Sequence, residues 1–405
     1  MILRTDRNPT HKWSLTVVLL TYAVAMCGTT MPTALYPTLQ DEYDLSTAAS
    51  TQLFAIYAIV VLTVLCIFGS LSDAIGRRPV MILGLLASVA SAVLYALADD
   101  APMLFIARTF SGICAGLVTG TATAYLTDLV SSPARGASIS SVANMVGLGS
   151  GPAFAAFLTY FVPTMPMIAF IAHAVLSAVS VLLLATIPDT VTSRRRELKL
   201  SLPVIPRIAL RDYCVGGLMT LGFAVMGGCT AMTSILVVRA FGITDLRLLG
   251  LMGSLIFIAT TVGQKTGGQL VSHKPHLGFA GLAAGAVLIA LAPRLEGGVA
   301  MAAYLLGLLV AGYSHGALFP VGLGIVLRKI DLPHRGSAGS AFWVLGYALT
   351  ALGALGLGWV GQVTGESVAV SCFGGSVAVC AVGCMVLHGR IGSKRDAQSS
   401  VSQNT

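Results

Sequence analysis

Runs of about twenty apolar residues recur from one end of this 405-residue chain to the other. A bilayer-spanning helix needs about 20 consecutive, mostly apolar residues. Such runs lie near residues 13–37, 51–71, 79–98, 102–127, 137–161 and 165–187. A polar stretch from Pro188 to Asp212 follows, and six more runs lie near 213–238, 248–268, 276–293, 299–326, 338–361 and 367–388. Only 10% of the residues are charged, against about 25% in an ordinary soluble domain. The expectation is a multi-pass, all-α membrane protein with 12 transmembrane helices. The first run extends well past a signal-peptide core and lacks an evident small-residue cleavage site, so it reads as a retained helix.

The formal net charge of +8 invites a nucleic-acid reading, but the positions of the charges exclude it. With the N-terminus inside, the inner segments hold Arg77, Arg78, Arg135, Arg194, Arg195, Arg196, Lys274, Arg328 and Lys329, among others. The outer segments hold only Arg239, Arg247 and Arg294, together with acids such as Asp41, Asp99 and Glu296. Cytoplasmic loops carry an excess of Lys and Arg. Both termini are therefore expected in the cytoplasm, with the protein in the inner (cytoplasmic) membrane. The eight cysteines all lie in or beside apolar runs. They show no metal-ligand spacing with His and read as small packing residues.

The two halves resemble each other at an offset near 200 residues. Gly112-x-x-x-Gly116 matches Gly312-x-x-x-Gly316, and Pro133-Ala-Arg135-Gly136 matches Pro333-His-Arg335-Gly336. Ala23-Val24 and Thr29-x-Met31 match Ala224-Val225 and Thr230-x-Met232. The expected organisation is a six-helix bundle over 1–187, a cytoplasmic linker over 188–212, and a second six-helix bundle with a cytoplasmic tail over 213–405. Duplicated halves are a transporter architecture, with substrate bound between repeats near the bilayer midplane.

Between the second and third runs stands Gly69-Ser-Leu71-Ser-Asp73-Ala-Ile-Gly76-Arg77-Arg78-Pro79. This segment resembles the signature loop of the major facilitator superfamily, with Ala74 where that family usually carries a cation. The resemblance implies two six-helix pseudo-repeats around one cavity and transport by alternating access. It further implies that Asp73 meets the N-terminus of the eleventh helix near Gly336, where a helix dipole favours an anion. A charge relay is implied from Asp73 through Arg77 to an acid below helix 4, here Asp128, so that Gly69, Asp73, Gly76, Arg77, Arg78 and Asp128 form a cytoplasmic latch. The alternative is a plain basic hairpin loop. The equivalent loop of the second half, Gly268 to Pro275, has no Asp, so the latch is expected to be asymmetric.

Arg108, four residues before Gly112, matches the family's second signature. It is expected to face the cavity or to prop helix 1; snorkelling to the surface about 9 Å away is the alternative. Gly147-Leu-Gly149-Ser-Gly151-Pro152 resembles the family's antiporter signature, although Ala155 and Ala156 replace its later glycines. Ordinary helix packing is the other reading of these glycines. If helices 1, 4, 7 and 10 line the cavity beside 2, 5, 8 and 11, its candidate lining is Tyr22, Thr29, Met31, Tyr57, Arg108, Asn144, Thr230, Tyr313, His315, Trp343 and Tyr347.

No Asp or Glu lies deep in any of these runs. His173 on helix 6 is expected to be structural. His315 is either a cavity group or a packed one. The proton-coupling candidates are therefore His315, Asp73 and Asp128. The sequence carries no catalytic cluster, metal motif or phosphate loop, and no cofactor is expected beyond a proton gradient as energy source. The expected partners are a small-molecule substrate and the lipid bilayer; a monomer is expected. The leading expectation is export of small lipophilic drugs or metabolites by proton antiport. Uptake or facilitated passage of a small metabolite stays open, and an intramembrane sensor or enzyme is a remote alternative.

Overall fold

The computed structural model describes residues 9–69, 71–130, 132–162, 165, 167–191, 210–328, 330 and 335–402. Among them, twelve helices are long and apolar enough to cross a bilayer. In chain order the α-helices are α1 (Pro9–Thr30), α2 (Tyr36–Tyr43), α3 (Thr47–Phe68), α4 (Leu71–Ile75), α5 (Arg77–Ala96), α6 (Ala101–Asp128), α7 (Pro133–Phe161) and α8 (Ile168–Ala185). The series continues with α9 (Leu210–Leu218), α10 (Gly222–Phe241), α11 (Leu246–Thr266), α12 (Gly268–His273), α13 (Pro275–Leu291), α14 (Gly297–Leu327), α15 (Arg335–Thr364) and α16 (Glu366–Ser402). The first span is α1 and α2 joined by a 3-10 turn, Met31–Leu35. Short helices α4 and α12 occupy the loops after the second and eighth spans, so the sequence repeat has a structural counterpart there. Residues 192–209, most of the expected linker, lie outside the described residues.

The chain forms two compact units: the described residues within Met1–Leu202 together with Thr230–Phe257, and those within Pro203–Cys229 together with Ile258–Thr405. In the first unit, α1 packs on α6, α7 and α8, while α6 also packs on α3 and α5. In the second, α14 packs on α9, α13 and α15, and α16 on α13 and α15.

Two prolines show how the first unit satisfies its backbone without water. A proline inside a helix leaves the carbonyl four residues earlier without its usual N–H partner. Pro152 lies inside α7, and the carbonyl it frees is that of Leu148. The Thr30 hydroxyl donates to that oxygen at 2.6 Å. Pro37 likewise frees Thr33, whose carbonyl accepts from the Ser234 hydroxyl. In lipid a lost partner cannot be replaced by water. Thr30→Val is thus expected to cost about 1–2 kcal/mol, read as a lowered Tm of the purified protein, while Thr30→Ser keeps the wild-type value.

The seventh span departs from the continuous helix expected over 213–238. Met219–Leu221 separate α9 from α10, and the backbone there tightens into i to i−3 bonds: Met219 N–H to Gly216, Thr220 to Gly217, and Phe223 to Thr220 at 2.9–3.0 Å. The His315 ring fills the space where a Cβ at residue 222 would stand, so only glycine fits. The start of this span also corrects the linker boundary. Asp212, counted with the linker, lies in the first turn of α9, is 5% exposed, and pairs with Arg328 at 3.5 Å.

Candidate functional site

Three groups of side chains carry the chemistry of the molecule. The first lies at the loop after α3. Arg77 Nη1 contacts Asp73 and donates to the Ser72 hydroxyl at 2.7 Å, while Arg77 Nε reaches Asp128 at 3.4 Å. Thr190 donates to the same Asp128 carboxylate at 2.8 Å. The structure thus brings Asp73, Arg77 and Asp128 into one chain of charges. Their side chains are 51%, 14% and 37% exposed, so each pair contributes about 0.2–1 kcal/mol. Links this weak break easily.

The sequence reading missed Asp189. Its carboxylate accepts the Arg77 backbone N–H and the Val191 N–H, both at 3.1 Å. Asp189 therefore caps α5, a favourable place for an anion at a helix N-terminus. Gly76 makes this possible. Its φ of +109° is open only to glycine, and a Cβ there would overlap the Asp189 carboxylate. Arg78 donates to the Ile187 carbonyl at 3.0 Å and the Tyr125 hydroxyl to that of Pro188. The segment after α8 is tied to the loop at every turn. Gly69 is the C-cap of α3.

The second group surrounds Arg108, whose side chain is fully buried. It does not snorkel. Nη1 donates to the Thr29 carbonyl and Nε to that of Leu53 at 3.2 Å, and the guanidinium lies over the Tyr57 ring at 4.5 Å and the Phe54 ring at 5.4 Å. Arg108, Thr29 and Tyr57 thus come together, with the arginine tying α1 to α3. Tyr22 lies within electrostatic reach of Tyr57, in a polar patch with Thr119, Thr123 and Ser140, where Thr123 and Ser140 share a 2.6 Å hydrogen bond. Asn144 is buried one turn beyond Ser140 on α7, and its Oδ1 has no partner. Met31 and Thr230 are buried. Serine and threonine hydroxyls supply most of this patch, and in a chain with so many of both no local pattern singles these out.

The glycines of α7 fall on two faces. Gly147 lies against Ala23 and Met26, and Gly151 against Cys27 and Thr30, all on α1. Gly149 and Pro152 instead meet α11, at Phe257 and at Gly250 and Gly253. At the start of α11, Arg247 holds Asp245 in a bidentate pair and stacks on Tyr160 at 4.4 Å. That cation and the Arg247 backbone N–H pull the partly exposed Asp245 carboxyl down to about 2. The pair's small contribution is complete above the ordinary carboxylate range and disappears only as the pH falls through about 2.

The third group is aromatic and belongs to the second unit. His315 meets Phe223 edge-on at 4.6 Å; Phe319 lies 4.8 Å from Trp343, and Trp343 lies 6.0 Å from Tyr347. His315, Trp343 and Tyr347 are brought together, with Phe223 and Phe319 as members the sequence did not flag. Tyr313 is not among them. It lies against Gly263 of α11 and Gly267 just before α12, shares a 3.1 Å hydrogen bond with Thr266, and is 38% exposed.

A profile of the Major Facilitator Superfamily matches residues 18–354. This chain belongs to the major facilitator superfamily. It is a multi-pass membrane transporter. Multidrug resistance protein 1 of Bacillus subtilis (strain 168) is 26% identical over 254 residues, covering 62% of this chain and 65% of that protein. The class H tetracycline resistance protein of Pasteurella multocida is 27% identical over 175 residues, 42% of this chain and 44% of that one. The chain thus spans less than two thirds of the length of these relatives. A crystal structure of the nucleoside transporter NupG superposes with a TM-score of 0.73 over 93% of this chain and 99% of that one, at 14% identity; at that identity the likeness is one of fold.

Proposed function

We propose that this transporter exports small lipophilic or amphipathic compounds from the cytoplasm across the inner membrane, in exchange for protons. The observation that carries the substrate class is the aromatic group of Phe223, His315, Phe319, Trp343 and Tyr347. In this structure Phe223, His315, Phe319 and Tyr347 are buried and Trp343 is the ring with a partly open face; opening of the carrier at this point would offer their area and polarisable faces to flat apolar or cationic molecules. The rings offer few of the amide and acid partners that a sugar or nucleoside needs. The drug-resistance names of the partial relatives point the same way. The two-faced glycine pattern of α7, which resembles an antiporter signature, supports exchange over uptake.

In this reading the Asp73–Arg77–Asp128 chain is the cytoplasmic latch, closed when the carrier faces outward. The coupling group is sought among His315, Asp73 and Asp128, to which the structure adds buried Asp212 beside Arg328. The test is transport in proteoliposomes, with a panel of lipophilic dyes and an imposed pH gradient. Dye movement is expected to rise at least tenfold with the gradient and to collapse with a protonophore. Accumulation indifferent to the gradient would sink proton antiport, and equilibration without any gradient would make the protein a facilitator.

A further inference from the structure

We infer that Asp212 and Arg328 form a second clasp, of reversed polarity, that holds α9 against α14 and lets it go during the transport cycle. The sequence repeat, at its offset of 200, puts Arg328 in the position of Asp128. In the first unit that position is an acid, engaged by Arg77 at the start of α5. In the second it is a cation, the C-cap of α14. The loop of the second half, Gly268 to Pro275, offers Arg328 only His273 and Lys274 as charged or titratable groups. Like charges repel, so a latch of the first kind has no partner there, and the acid comes from another element.

That acid is Asp212, in the first turn of α9. Arg328 Nη2 lies 3.5 Å from Asp212 Oδ2, with the two side chains 48% and 7% exposed. Each charge stands at the favourable end of its own helix, the acid at an N-terminus and the cation at a C-terminus. One turn along α9, Gly216 meets Gly322 of α14. A Cβ on either glycine would stand 2.5 or 2.8 Å from the carbonyl oxygen of the other. On the next residue to Asp212, the Tyr213 hydroxyl donates to the Ala341 carbonyl of α15 at 2.9 Å. The ion pair is thus the charged member of a small set of fastenings. The two partners respond differently to its loss. Arg328 is half-exposed, so water can replace the acid. Asp212 is buried, and a buried carboxylate without its counter-charge is strongly unfavourable. Breaking the pair therefore favours withdrawal of α9 towards water and leaves α14 in place.

The local structure lets α9 move by itself. It has nine residues, too few to persist as a helix without its packing. Met219–Leu221 separate it from α10, with i to i−3 bonds in place of the continuous helical ladder. From Thr230 onward the same span belongs to the first compact unit, whereas α9 and α14 belong to the second. In the first unit, Ser234 holds the Thr33 carbonyl, and Arg239 donates to Gln40 at 3.1 Å. Alternating access moves one repeat against the other. A span shared between two moving bodies has to bend, and this one is already interrupted beside α9. The clasp rests on the alternating-access reading above and on no particular substrate or coupling ion.

The first test is hydrogen exchange of the full-length protein in nanodiscs, which needs no substrate. In Arg328→Gln the amides of 210–218 are expected to exchange roughly tenfold faster than in the wild type, while those of α13 and α16 keep their rates. Arg328→Asp sets two acids together and gives at least the same increase. Asp212→Arg combined with Arg328→Asp restores the attraction and brings exchange back to within about threefold of the wild type. Unchanged exchange in both single variants, or a double variant no slower than either, overturns the clasp. The second test tells a clasp that opens from a fixed staple. Asp212→Cys with Arg328→Cys, in a Cys214→Ser background, is bridged by a reducible thiol cross-linker and compared with itself before bridging. Movement of the best-transported dye of the panel is expected to stop on bridging and to return with dithiothreitol. Transport that continues through the bridge means that α9 stays on α14 throughout, and the inference fails. If no dye moves at all, the export reading falls, and hydrogen exchange alone decides the clasp.

Discussion

Gly76→Val is expected to abolish transport and to destabilise the first unit by about 2–5 kcal/mol. Two effects add. At φ +109° a β-branched residue is strained by about 1–3 kcal/mol. Its Cβ also takes the place of the Asp189 carboxylate, which removes the cap from α5 and costs about 1–2 kcal/mol more. The damage spreads because the same carboxylate holds the backbone of Arg77, whose side chain joins Asp73 to Asp128. Asp189→Asn separates the two contributions. Asparagine caps a helix as well as aspartate does, so Tm is expected within about 2 °C of the wild type. Transport by this variant is expected to fall only as far as the charge matters to the gate. The measurements are Tm in detergent and dye transport in vesicles. A Gly76→Val protein with wild-type Tm and transport would show that neither the turn nor the cap is needed.

The contrast between Gly76 and Asp189 shows where reading a sequence stops. Gly76 is visible because it sits in a short basic loop at a helix start. Its partner lies 113 residues later, in a stretch that looks like linker, and no local pattern joins them. The twelve spans are legible because lipid demands about twenty apolar residues for each crossing, whatever the tertiary structure. The break at Met219–Leu221 is not legible. Hydropathy is blind to whether a backbone bonds to i−4 or i−3, and it does not show that a histidine ring from another helix takes the Cβ position of Gly222. Tyr313 and His315 show the same limit at finer scale. Residues two apart on a helix point about 200° apart, so a helix can line a site with one of them only. The fold resemblance selects the helix, and packing against Gly222 and Gly263 selects the face. Arg108 was conspicuous as a lone charge in an apolar run. That it bonds two backbone carbonyls, and has donors to spare, depends on helices α1, α3 and α5 meeting around it.

Gly151→Leu is expected to be as damaging as Gly76→Val, by a different route. Helices in lipid gain little from hydrophobic burial against each other, so small residues that let backbones touch supply much of their adhesion. A Cβ at residue 151 would overlap the Cys27 carbonyl and the Thr30 hydroxyl, and it would meet the Met31 N–H at 2.8 Å. None of these can yield without moving α1. Displacing Thr30 also strips the partner from the Leu148 carbonyl that Pro152 has left free. Overpacking costs about 1–3 kcal/mol and the orphaned carbonyl about 1–3 kcal/mol more. Loss of folded protein from detergent extracts is the expected readout. Two comparisons make this a statement about contact and not about glycine. Gly149→Ala meets the Phe257 side chain at 3.1 Å, tight enough for a modest fall in Tm and to perturb α7 against α11. Gly356→Ala on α15 meets nothing within 4 Å and is expected to leave Tm unchanged or slightly raised, since alanine is the better helix former. If Gly151→Leu behaves like Gly356→Ala, α7 does not pack on α1 through its glycines. The antiporter-like spacing would then carry no structural meaning in this chain.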